Sequence, residues 1–158
     1  MKKITIYSLL LVLLDQIIKY IVTINLNEFE SIIVIKNLLN LTYVKNYGAA
    51  FSILTGNTLF LIIVGVATLF MFYKYFIINK KHSNIEIITY SLFIGGLVGN
   101  LIDRIIHNYV IDYINVNLFN FPIFNLADTF IVISVIIIII LEMRCELWNI
   151  KSKKKLVE

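Results

Sequence analysis

Stretches of about twenty mostly apolar residues leave this chain few folds to choose from. They lie at about residues 4–24, 58–78, 85–106 and 125–141. A helix of that length rises about 30 Å, the thickness of a bilayer's hydrocarbon layer. Hydrophobic residues make up 59% of the chain and charged residues only 15%, too few polar groups to cover a soluble core. The chain therefore reads as an all-α membrane protein, residues 1–158 forming a single integral membrane domain with four transmembrane helices.

The charge pattern orients those spans. The formal net charge is +4. Lys2 and Lys3 open the chain, Lys74, Lys80 and Lys81 lie midway, and Arg144, Lys151, Lys153, Lys154 and Lys155 close it. Basic residues that flank apolar segments mark the cytoplasmic side. With an even number of spans, both termini are expected in the cytoplasm. The basic tail suits anionic membrane lipid, not nucleic acid. The opening run resembles a secretory signal peptide, but no small-x-small cleavage site follows, so it reads as an uncleaved first span. Cys145 is the only cysteine and can form no intrachain disulfide. His82 and His107 make no HExxH spacing, which excludes a zinc protease; no metal or cofactor is expected.

Two segments between the spans differ in character. Residues 25–56 combine asparagines and glutamates with period-two patterning such as Leu39-Asn40-Leu41-Thr42-Tyr43-Val44, which predicts a small β-cradle outside the membrane, opposite Lys2 and Lys3. Within it, Asn46-Tyr47-Gly48-Ala49-Ala50-Phe51 is turn-like, and Gly48 lets a ligand approach the backbone closely. Residues 107–122 are amphipathic and aromatic and predict a short interfacial helix or bent loop, with Pro122 ending regular structure. Gly95, Gly96 and Gly99 predict tight packing of the third span.

Carboxylates beside hydrocarbon are costly and need a reason. Asp15 and Lys19 are spaced i,i+4 in the first span and read as a structural pair. Asp103 reads as a local pair with Arg104, also structural. Asp112 stands between Ile111 and Tyr113 with no nearby basic residue, and Asp128 stands at the head of the fourth span. Counted by depth, Asn46, Asn100, Asp103, Arg104, Asp112, Asn125 and Asp128 can converge at one level of the membrane. Two adjacent carboxylates in low dielectric hold a shared proton, which suits water-mediated peptide hydrolysis. On residues alone, a catalytic dyad and a proton or ion relay in a small transporter subunit both fit, and an assembly factor with dispensable aspartates is a third reading.

Five motifs bear on that choice: Asp15-Gln16-Ile17-Ile18-Lys19, Asn46-Tyr47-Gly48-Ala49-Ala50-Phe51, Gly99-Asn100-Leu101-Ile102-Asp103-Arg104, Val110-Ile111-Asp112-Tyr113-Ile114 and Phe124-Asn125-Leu126-Ala127-Asp128. In this order they resemble the bacterial lipoprotein signal peptidase (signal peptidase II) family. The resemblance implies a metal-free aspartyl endopeptidase of the bacterial cytoplasmic membrane, with its site at the outer leaflet. Its substrates would be diacylglyceryl-modified prolipoproteins, cut before the lipidated cysteine. Asp112 and Asp128 would be the catalytic pair. Asn46, Gly48, Asn100, Arg104 and Asn125 would support the pair or bind substrate, and Asp15 with Lys19 would be the paired residues of the first span. The chain is expected to act as a monomer.

Overall fold

The computed structural model describes residues 1–48, 54–78, 81–117 and 121–155, with side chains as far as Arg144. Ala49, Ala50 and Phe51 of the turn-like element, Phe119 of the interfacial segment, Lys80 of the basic loop and the Cys145 side chain lie outside the described residues. The elements run α1 (Lys2–Asn25), β1 (Ser31–Ile35), β2 (Leu39–Asn46), α2 (Thr58–Phe72, continued by a π-helical turn Tyr73–Ile77), α3 (Asn84–His107), β3 (Val110–Val116) and α4 (Leu126–Lys155). Among the described residues, four helices are long and apolar enough to cross a membrane: Lys2–Asn25, Thr58–Ile77, Asn84–His107 and Leu126–Arg144.

Local chemistry sets the ends of α3. Ser83 Oγ accepts from the Glu86 N–H at 3.3 Å, and the Glu86 carboxylate accepts from the Ser83 N–H at 2.7 Å, a reciprocal cap that satisfies free amides of the first turn. At the other end Asn108 takes a left-handed backbone, φ 65°, and its N–H bonds the Arg104 carbonyl. Asparagine tolerates that conformation better than branched residues do. The chain then turns directly into β3.

That strand corrects the reading of residues 107–122 as an interfacial helix. Val110–Val116 is extended and pairs antiparallel with β2, giving the sheet order β1-β2-β3. Valine, isoleucine and tyrosine favour a pleated strand, and β2 offers a ladder that a surface helix could not use. Short apolar runs do not distinguish helix from strand by periodicity alone. Val110 through Tyr113 are all buried: Ile111 and Tyr113 pack with Tyr43 against Val22 and Leu26 at the end of α1, while Asp112, on the opposite face, meets Asn46 and Asn125.

α3 is the central helix: half of its spanning window is buried, against about a fifth for each of the others. Its glycines make this possible. A Cβ on Gly96 would run into the Ala127 carbonyl and come within 2.8 Å of Ile131 Cγ1. A Cβ on Gly99 would stand 2.6 Å from Asp15 Oδ2, and one on Gly95 would stand 2.9 Å from Leu11 Cβ. Close backbone approach of this kind substitutes for the hydrophobic driving force that helices lack in lipid.

One buried cluster locks α1 to α3. The Lys19 ammonium lies 2.9 Å from Asp15 Oδ2 and 2.8 Å from Asp103 Oδ2, and donates to Asn100 Oδ1 at 3.1 Å. Lys19 is 1% exposed. Asp103 is therefore the partner of Lys19 and not of its neighbour Arg104: the α3 backbone turns Asp103 inward toward α1. Gln16 Nε2 adds a bond to Asp103 Oδ1 at 2.9 Å, and the Ala127 and Ile111 amides donate to Asp15 Oδ1 and Asp103 Oδ2 at 3.1 Å each.

Lys19→Met leaves two buried carboxylates without a counter-charge. We predict a loss of about 3–5 kcal/mol, the range for breaking a buried ion pair, read as an earlier loss of helical circular dichroism on heating in detergent. Gly96→Val is predicted to lower the same transition by forcing α3 away from α4, whereas Ile63→Val, on the outward face of α2, leaves it within a few degrees.

Candidate active site

The end of the bundle that carries the sheet gathers the polar residues. β2 and β3 pair with Val44 opposite Asp112 and Asn46 opposite Val110, so Asn46 and Asp112 reach each other across neighbouring strands. Asn46 Nδ2 donates to Asp112 Oδ2 at 2.9 Å. Asn125, immediately before α4, donates through Nδ2 to Asp112 Oδ1 at 2.8 Å. Both oxygens of Asp112 are thus held by amides, and the residue is 2% exposed.

Asp128 is placed by the start of α4. Its N–H donates to Asn125 Oδ1 at 2.8 Å, and its Oδ2 accepts from the Asn125 N–H at 3.2 Å. This is a capping box with asparagine as the cap and aspartate three residues on. Asn100 Nδ2, from α3, donates to Asp128 Oδ1 at 2.7 Å. Asp128 therefore is a helix-start residue and also projects a carboxylate into the polar cluster, where it is only half-buried. The more open side of the pair is the Asp128 side.

Asn125 and Asn100 join the two carboxylates. Asn125 Nδ2 also lies 3.1 Å from Asn100 Oδ1 and 3.3 Å from the Ile111 carbonyl. Asn100 Oδ1 in turn accepts from Lys19, so the ion cluster beneath and the carboxylate pair above share one amide. An amide can donate and accept at once, which is how a single asparagine orients two acids. Burial, and then the negative charge of Asp128, push the Asp112 carboxyl up to about 7, against the opposing effect of the Asn46 and Asn125 bonds.

Arg104 turns to main chain: Nη2 donates to the Gly48 carbonyl at 3.0 Å and Nη1 to the Asn100 carbonyl at 3.4 Å. The Gly48 N–H donates to Asn46 Oδ1 at 2.9 Å. The guanidinium thereby fixes the segment after β2, and with it Asn46, against α3. Asp15, Lys19 and Asp103 lie one layer inward. Two contributors were not anticipated as site residues. Gln16 bonds Asp103, and a polar side chain beside Asp15 within an apolar span was the available signal. The Tyr113 hydroxyl accepts the Leu126 N–H at 3.2 Å and so steadies the start of α4; no sequence spacing announces a contact between β3 and α4. Among the described residues no group of three or more His, Cys, Asp or Glu side chains is arranged to hold a metal ion.

The arrangement offers two carboxylates in a shared amide frame, one deeply buried and one part-open. It can hold one proton between them, deliver or remove it at a bound group, and activate a water.

Comparison with known proteins identifies the family. Residues 7–144 match the family described as Signal peptidase (SPase) II. The lipoprotein signal peptidase of Halothermothrix orenii is 41% identical over 133 residues, covering 84% of this chain and 89% of that protein. That of Staphylococcus aureus is 38% identical over 135 residues, covering 84% and 83%. Two structures of a bacterial membrane enzyme solved by the in meso method superpose with TM-scores of 0.85 and 0.80, each at 34% identity. They cover 91% and 89% of this chain, and 89% and 92% of their own. Sequence and fold agree across most of the chain's length, and the protein belongs to the signal peptidase II family of membrane proteases, the lipoprotein signal peptidases.

Proposed function

We propose that this protein is an aspartyl endopeptidase that releases the signal peptide of diacylglyceryl-modified prolipoproteins by cutting before the lipidated cysteine, with Asp112 and Asp128 as its catalytic pair. The observation that carries the reading is the amide frame: Asn125 and Asn100 hold the two carboxylates in one hydrogen-bonded unit. In the resting pair Asp112, the more buried acid, keeps the shared proton near neutral pH, and Asp128 is ionised. Asp128 removes a proton from a water poised at the scissile carbonyl. Asp112 donates its hydrogen bond to the carbonyl oxygen as charge develops there. The tetrahedral intermediate then collapses, the carbon–nitrogen bond breaks, and a carboxyl proton passes to the leaving amine of the lipidated cysteine.

The remaining polar residues act on that pair. Asn46 and Asn125 orient Asp112, Asn100 orients Asp128, and Arg104 with Gly48 shapes the rim that a peptide would cross. The basic flanks support a topology with both termini in the cytoplasm, which sets this end of the bundle in the outer leaflet. A lipid-anchored cysteine presents its scissile bond at that depth.

The direct test is release of signal peptide from a diacylglyceryl-modified prolipoprotein by purified enzyme. Asp112→Asn and Asp128→Asn are each expected to lower the rate by at least about a thousandfold, within the upper part of what a positioned acid or base contributes, while the helical circular dichroism of the folded protein is retained. Full activity in either variant overturns the assignment. A chelator is expected to leave the rate unchanged.

The pH profile follows from the raised Asp112 carboxyl. The pair works singly protonated, so kcat/KM should fall as pH rises through about 7 and the shared proton is lost. Asn46 donates to the ionised form of Asp112 and lowers its proton affinity. Asn46→Leu is therefore expected to move that alkaline limb to higher pH; an unmoved limb assigns it to another group.

A further inference from the structure

The strand β1 is apolar where an exposed edge strand of a soluble protein is not. Between Ser31 and Ile35 it carries no charge, and Ile32, Ile33, Val34 and Ile35 are 48–66% exposed. Successive residues of a strand point to opposite faces, so both faces of β1 are open and apolar. Soluble edge strands guard themselves with charges, prolines or a covering element. The preceding residue type adds to this. Phe29 is 73% exposed and sits in a left-handed backbone, φ 68°, an uncommon conformation for an aromatic residue. It is held there by the paired bonds of Phe29 N–H to the Tyr43 carbonyl and Tyr43 N–H to the Glu30 carbonyl, at 2.8 and 3.2 Å.

We infer that β1 and Phe29 are immersed in the boundary between lipid headgroups and acyl chains, in the leaflet at the active-site end of the bundle. Both-faced exposure selects this occupant. A rigid protein partner covers one face of a strand, and a peptide added at the free edge covers neither, but fluid lipid surrounds both. The position fits: only residues 26–30 separate β1 from the end of the α1 span, a reach of roughly 17 Å. The lipid-facing side of α1 runs up to Ile24, 61% exposed, so the apolar surface of the span leads into that of the hairpin.

The charges agree with shallow immersion. Glu28 and Glu30 sit at the base of the strand and are engaged there, Glu28 with Lys45 at 2.9 Å and Glu30 with the Asn27 amide at 2.9 Å. Lys36, exposed at the far turn, has a long apolar stem that lets its ammonium reach phosphate groups. Phe29, beside the glutamates at the base of the strand, adds an exposed aromatic ring of the kind found on the apolar side of interfacial elements. Because β1 pairs with β2 and β2 with β3, the immersed strand would set the depth of Asn46 and Asp112 in the membrane. That consequence rests on the proteolytic reading; the immersion itself does not.

The test labels one position of the full chain. Ile33→Cys in a Cys145→Ser background carries an environment-sensitive NBD fluorophore and is reconstituted into vesicles of phosphatidylcholine and phosphatidylglycerol. Nitroxides on the upper acyl chain are expected to quench the label strongly, and aqueous iodide weakly. Iodide quenching as strong as that of the lipid nitroxides overturns the inference, and so does protection from both, which would mean cover by protein. In a separate arm, Ile33→Asp combined with Ile35→Asp should lower the rate on lipidated substrate about tenfold in vesicles, through KM. The same variant should stay near the wild-type rate in detergent micelles, where no bilayer fixes the depth. Equal loss in both settings overturns the depth-setting role, while the aspartate-pair variants test the protease reading on their own.

Discussion

A buried lysine organises this structure. Lys19 has no solvent to turn to, so its three protons must find acceptors among its neighbours, and they find Asp15, Asp103 and Asn100. A charge in such surroundings is tolerated only when paired and fully hydrogen-bonded. Satisfying it draws α1 onto α3, and the two carboxylates also accept backbone amides, Asp15 Oδ1 from Ala127 at the start of α4 and Asp103 Oδ2, beside Lys19, from Ile111 in β3. One ion cluster thereby ties together the elements that supply the candidate site. Gly99 is the steric condition for it, since a side chain there would occupy the space of the Asp15 carboxylate.

The site above repeats the same economy with amides. Asn125 caps α4, contacts Asn100 and bonds Asp112; Asn100 bonds Asp128 and receives Lys19. Each asparagine links an element of the fold to an acid, so stability and positioning are not separate functions here. The capping box that starts α4 is also the device that aims Asp128. Within the pair, Asp112 is the more buried and is held by two side-chain amides, and the more open acid, Asp128, is the one a substrate would meet first. A strand and a helix start are rigid supports, which suits a constellation that must keep two carboxylates in register.

The spans and their flanks were legible because each depends on local composition: long apolar runs, basic ends, glycines at close spacing. Asp112 was legible as a candidate because a carboxylate between isoleucine and tyrosine has few other uses, and Asp128 because it stands at the head of an apolar span. Other features were misread or missed for a common reason. Residues 110–116 read as part of a surface helix, since amphipathic aromatic stretches fit either structure until a partner strand is known. Asp103 was assigned to Arg104, its neighbour in sequence, although its partner lies across the helix interface on α1. Gln16 and Tyr113 act through contacts that span many positions in the chain.

What the sequence determined by itself is the environment: a chain this apolar must place helices in lipid, and its few acids must then be sheltered and paired. Which acid meets which partner was decided only by the tertiary structure. Helix rotation sends Asp103 to Lys19, strand register sets Asn46 beside Asp112, and the cap at Asn125 turns Asp128 toward Asn100. Hydrogen bonds of this kind depend on tenths of an ångström and on direction, and those are properties of packed elements, not of residue order.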